Sequence, residues 1–117
     1  MGVQERRMYP RWRASLPIRY KILGESGIYH GSLSKDIGAG GVRVITDRFL
    51  ARDRLLDVEI SLDRAKRRFL AKGRIAWTEF LPYRDDAFAS GIEFCEMNVK
   101  DQRDLRNYID YYLMTGG

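Results

Sequence analysis

The chain carries one cysteine, Cys95, and one histidine, His30. A lone cysteine excludes an internal disulfide, and together the two residues offer no Cys/His metal pattern. A nucleophile needs an adjacent base. With a single histidine, set in an alternating apolar stretch, no Ser/His/Asp or Cys/His set assembles, so the chain reads as a binder and not an enzyme. Asp85 and Asp86 resemble a carboxylate pair, but adjacent loop residues do not face each other, and a solvated turn is expected. Cys95 alternates away from its apolar neighbours and is expected to be an inert thiol. Long hydrophobic runs are also missing. No stretch approaches the roughly 20 apolar residues of a membrane helix, and the basic N-terminus lacks the apolar core of a secretion signal. Membrane insertion is therefore not expected, and a reducing cytoplasm is the simplest placement. What remains is a chain of 117 residues, 44% of them apolar, which suits one folded domain and argues against intrinsic disorder.

Charge is unevenly placed. Of the net +5, all lies in residues 1–24, where Arg6, Arg7, Arg11, Arg13, Arg19 and Lys21 face Glu5 alone; the other 93 residues hold 15 basic and 15 acidic side chains. A protein for long nucleic acids would show a broader basic face, so this distribution points to a small anionic target. The densest part is RRMYPRWR, Arg6 to Arg13. It has no apolar period, and Pro10 pushes Tyr9 toward an extended backbone. It is expected to be neither helix nor core strand, since as a strand it would bury nothing.

Alternation dominates the middle of the chain. Leu16, Ile18, Tyr20 and Ile22 share one face, and Leu56, Val58, Ile60 and Leu62 share another. Phe69, Ala71, Ile75 and Trp77 are expected to point inward together, with Trp77, at a strand end, alternatively bordering a binding site; Phe88, Ile92 and Phe94 are expected to share a face as well. Ile28 to Ile37 and Val42 to Thr46 complete six strands. Turn-forming breaks separate them, among them an expected solvated tip spanning Arg64 to Arg68. Short antiparallel strands at this spacing predict a sandwich or a small closed barrel. The period then changes. Asn98 is a good N-cap with Asp101 three residues on, and Leu105, Ile109, Tyr112 and Leu113 form one stripe. A helix over about Lys100 to Met114 is predicted, covering a mouth or side of the barrel. The expected divisions are a basic strap over 1–14, a barrel over 15–94 and a terminal helix over 98–114.

The stretch SKDIGAGGVRV, Ser34 to Val44, joins two strands through three glycines in four positions. It reads either as a plain hairpin turn, free to take positive φ, or as backbone N–H groups gathered for an anion beside the Asp36 carboxylate. A carboxylate can accept from the N–H edge of guanine, and arginine can grip O6 and N7, stack on the ring or hold a phosphate. Arginines, a glycine bend and one aspartate together suit a guanine nucleotide.

Three short motifs resemble those of the PilZ domain family. Arg7-Met8-Tyr9-Pro10-Arg11 resembles its RxxxR motif, with Arg6 supplying the common double-arginine start. Asp36 to Gly41 resembles (D/N)xSxxG at its first and last fixed positions, and Gly91-Ile92-Glu93-Phe94 resembles the G(I/V)xF of the last barrel strand. The resemblance runs from Glu5 to Leu113. It implies a mostly β fold, a six-stranded antiparallel barrel with a C-terminal α-helix. It also implies cyclic di-GMP as ligand, with no further cofactor, and a downstream protein partner. Arg6, Arg7 and Arg11 would serve guanine and phosphate, Asp36 a base, and Gly38 and Gly41 the close approach of backbone. Gly38 stands where the motif has serine, and losing one neutral hydrogen bond lowers affinity about two- to tenfold. Two other readings stay open: a ligand-free interaction module on the same fold, and a small nucleic-acid-binding barrel using the strap and Trp12, against which the charge balance beyond Lys21 counts. Trp12 suits stacking on guanine or packing on the barrel. Tyr108, Tyr111 and Tyr112 are expected at the core and rim of the terminal helix.

Overall fold

In the computed structural model, which describes residues 11–25, 27–62, 66–84 and 87–115, the alternating stretches close into one barrel. The strands are β1 (Arg11–Trp12), β2 (Pro17–Ile22), β3 (His30–Gly38), β4 (Gly41–Thr46), β5 (Leu55–Leu62), β6 (Arg67–Phe80) and β7 (Phe88–Met97), followed by helix α1 (Val99–Thr115). The sheet order is β1-β3-β2-β5-β6-β7-β4, and β4 returns to pair with β3. Six antiparallel strands are thus joined edge to edge, so the barrel has no long free edge to template aggregation. The expected fold class is the one that forms.

Period-2 patterning accounts for the interior. Ile18, Tyr20, Leu56, Val58, Ile60 and Phe69 are all buried in one cluster. Burial pushes the Tyr20 phenol above its ordinary value, with Asp47 adding to the rise, so it stays neutral. Helix α1 stops the barrel. Its Leu105 and Ile109 join the same core cluster, each burial contributing about 1.5–3 kcal/mol. Asn98 caps the helix as expected: its Oδ1 accepts from the N–H of Lys100 at 2.9 Å and of Asp101 at 3.3 Å. Leu113 departs from the predicted stripe and stands 41% exposed.

Three further expectations are corrected. Trp77 does not follow Ile75 inward but is 42% exposed. The register against β7 slips between Ile75 and Trp77, while the Ile75 carbonyl accepts from Asp53 N–H at 2.8 Å and its N–H donates to the Arg54 carbonyl at 2.9 Å. One extra residue reverses the parity of everything after it, and Thr78 now points in, donating to the Leu50 carbonyl at 2.6 Å. Second, Arg67 and Arg68 belong to β6, not to a solvated tip; residues 63–65 lie outside the described residues. Third, Phe88 leaves the main core for an aromatic group with Phe49 and Phe80, ring centroids 6.0 and 5.7 Å away.

Candidate functional site

The hairpin between β3 and β4 builds the site. Gly38 pairs with Gly41, Ile37 with Val42 and Asp36 with Arg43, so only Ala39 and Gly40 form the loop. The described glycines with positive φ are Gly24 and Gly27, so the glycine-rich bend does not need the left-handed backbone that its composition permits. Gly41 is required for another reason. A Cβ there would lie 2.4 Å from the carbonyl oxygen of Ile92 on β7. The strands close so tightly at this point that only hydrogen fits.

Against this bend lies β1. Arg11 pairs with Gly38 and Trp12 with Ile37, antiparallel. The expectation that the basic segment would bury nothing as a strand fails at this end: Trp12 packs against the core and stacks on Tyr112 of α1, centroids 4.6 Å apart and planes within 6°. The chain leaving β1 is fastened by Ser34. Its hydroxyl accepts from Leu16 N–H at 2.9 Å and donates to the carbonyl of Ala14, while Ser34 N–H bonds Leu16 C=O at 2.9 Å. A fully buried serine with several bonded partners is satisfied, and it fixes how β1 meets the barrel. Nothing in the sequence singled Ser34 out.

With β1 fixed, Arg11 reaches the acid. Its Nε donates to Asp36 Oδ1 at 3.0 Å, its Nη2 contacts the same oxygen, and its Nη1 donates to the Gly41 carbonyl at 3.4 Å. The other carboxylate oxygen is paired with Arg43 Nη2 at 2.9 Å. Two guanidinium groups thus share one carboxylate, whose side chain is only 15% exposed. One positive charge is left over at the bend, an arrangement that attracts an anion. On the same outer face Arg43 pairs with Gly91, and Gly91 with Trp77. A Cβ on Gly91 would fall 2.2 Å from Trp77 Nε1, so the indole lies flat on bare backbone and borders the site.

Four of the expected site residues, Arg11, Asp36, Gly38 and Gly41, therefore come together; Arg6 and Arg7 lie outside the described residues. Arg43 was missed, although a two-residue loop fixes the register and places it opposite Asp36. Among the described residues, no group of three or more His, Cys, Asp or Glu side chains is placed to hold a metal. No described helix is long and apolar enough to cross a membrane.

Residues 5–111 match the family model of the PilZ domain, and the chain belongs to that family. PilZ domains are cyclic di-GMP effectors and not enzymes. Among solved structures, the chain is similar to the Bacillus subtilis inhibitor of motility MotI/DgrA, with TM-score 0.80 and 20% identity over 93% of this chain and 52% of that one. It is similar to the PilZ domain of YcgR from Escherichia coli, a structure with c-di-GMP, with TM-score 0.73 and 14% identity over 95% and 94% of the two chains. K. pneumonia MrkH in its apo state gives TM-score 0.77 and 17% identity over 94% of this chain and 51% of that one. At these identities the likeness is one of fold, and the chain spans about half the length of MotI and MrkH. No curated protein matches the chain.

Proposed function

We propose that the chain is a cytoplasmic second-messenger sensor that binds cyclic di-GMP at the β3–β4 bend and passes the signal to a protein partner. The observation that carries this reading is the meeting of Arg11, Asp36 and Gly41 on β1, β3 and β4. A charged fork and a hydrogen-bond acceptor are what a guanine-bearing dianion needs. Arg11 grips phosphate or the O6/N7 edge, Asp36 accepts from the N–H edge, and Arg7, four positions earlier, closes over the ligand from the same segment. Gly40, the half-buried glycine of the loop, lets the ligand approach the backbone, and Trp77 offers an aromatic floor at the border. Ligand draws the segment before β1 onto the barrel and changes the charge of that surface. Because Trp12 stacks on Tyr112, a shift at Arg11 also reaches α1, where Tyr111 and Met114 stand 60% and 86% exposed to a partner.

Isothermal titration with cyclic di-GMP tests this. Saturable heat is expected for the wild type, and strong weakening for Arg7→Ala and Arg11→Ala. Absence of heat with wild-type protein at micromolar concentrations removes the sensor reading. One observation favours a second reading: Arg11 and Asp36 satisfy each other within the protein. That suits a ligand-free interaction module, whose amides near Arg11 and Gly40 would ignore cyclic di-GMP and respond to a protein.

A further inference from the structure

Asp36 has more cationic partners than one carboxylate needs. Arg11 takes Oδ1 with Nε at 3.0 Å and with Nη2, and Arg43 pairs with Oδ2 through Nη2 at 2.9 Å. Arg43 Nε, by contrast, is buried and has no hydrogen-bond partner. A buried unpaired donor calls for an explanation. In a guanidinium, Nε–H and one Nη2–H lie along a single edge and match the two oxygens of a carboxylate. Arg43 faces Asp36 directly across the β3–β4 ladder, yet uses half of that edge. Arg11 holds the oxygen that the other half would take.

We propose that Arg43 is the positioning residue of the nucleotide site: when Arg11 turns from Asp36 to the ligand, Arg43 closes on both carboxylate oxygens and keeps Asp36 aimed at the guanine. This rests on reading the bend as the cyclic di-GMP site. The arithmetic of acceptors allows it. An ionised carboxylate has about four lone-pair sites, so two donors from Arg43 leave two for the N1–H and N2–H groups of the base. Without Arg43, the departure of Arg11 would strand a carboxylate only 15% exposed, which is costly. The exchange leaves each charge partnered before and after binding, with the ligand dianion taking the place of Asp36 on Arg11.

The test is a titration of cyclic di-GMP into wild type, Asp36→Ala, Arg43→Ala, Arg43→Lys and the double variant Asp36→Ala/Arg43→Ala, with the Tm of each. Arg43→Ala should weaken binding about tenfold, and Arg43→Lys, which cannot fork, should restore part of it. Because Arg43 acts through Asp36, the double variant should bind no more weakly than Asp36→Ala alone, which a merely structural loss would not reproduce. The Arg43 Nε–H resonance, assigned by its disappearance in Arg43→Lys, should move on saturation and carries the test if Arg43→Ala does not fold. Should wild type bind and Asp36→Ala weaken it while Arg43→Ala matches wild type, or the two losses simply add, the positioning role is overturned and the sensor reading survives. No binding by wild type overturns both.

Discussion

Two clusters of arginine and aspartate lie on this barrel with opposite stoichiometry. At the bend, Arg11 and Arg43 share one acid, Asp36. At the start of α1, one arginine, Arg67, serves two acids, Asp101 at 2.6 Å and Asp104 at 3.1 Å. Their exposures are similar, so burial does not separate them. Charge balance does. In the α1 cluster Lys100 also pairs with Asp104 at 3.1 Å, so two acids face two bases, and the helix N-terminus favours the carboxylates there. It is complete, and its effect is to tie α1 to β6. The bend cluster ends with excess positive charge and an unpaired guanidinium nitrogen on Arg43. Under the proposed function, that surplus charge is what the ligand dianion would meet.

Substitutions can separate the two. The largest effect is expected from Arg11→Ala: removing charge-assisted bonds worth about 1.5–3 kcal/mol lowers cyclic di-GMP affinity roughly ten- to a hundredfold by titration, with little change in Tm. Gly41→Ala should come next. The new Cβ would meet a backbone oxygen at 2.4 Å, and overpacking against backbone costs about 1–3 kcal/mol, read as a lower denaturation midpoint as well as weaker binding. Gly38→Ser restores the hydroxyl of the family motif beside Arg11 and should tighten binding about two- to tenfold. Arg67→Ala should lower Tm by roughly 4 °C and leave cyclic di-GMP affinity unchanged.

The smallest effect concerns pH at the same helix. Asp104 is held below its ordinary value, first by the Lys100 hydrogen bond and further by the charges of Lys100, Arg67 and Arg103. A depressed folded-state value means stability that is present above the ordinary carboxylate value of 3.8 and is lost as pH falls below it through the folded value. Thermal melts of wild type and Asp104→Asn should therefore differ at neutral pH and converge in acid.

Much of the barrel was legible because a strand buried on one face must alternate, and β2 and β5 do so without interruption. Helix α1 was legible for a similar reason, from its cap and its stripe. Trp77 was misread because alternation carries no mark of the extra residue between it and Ile75. β1 was missed since two residues have no period. The motif residues at the bend could be picked out by type and order. Arg43 could have been found by counting outward from a two-residue loop, whereas Ser34 and Arg67 act on segments 18 or more residues away, and only folding brings those together.

The central claim is that the bend is the unfinished cluster and the helix clamp the finished one. Arginine Nε–H correlation spectra recorded through a cyclic di-GMP titration of the full chain test it most directly. The account predicts that the Arg11 and Arg43 resonances shift together with saturation while Arg67 stays in place. Still resonances at Arg11 and Arg43, or movement confined to Arg67, would contradict it.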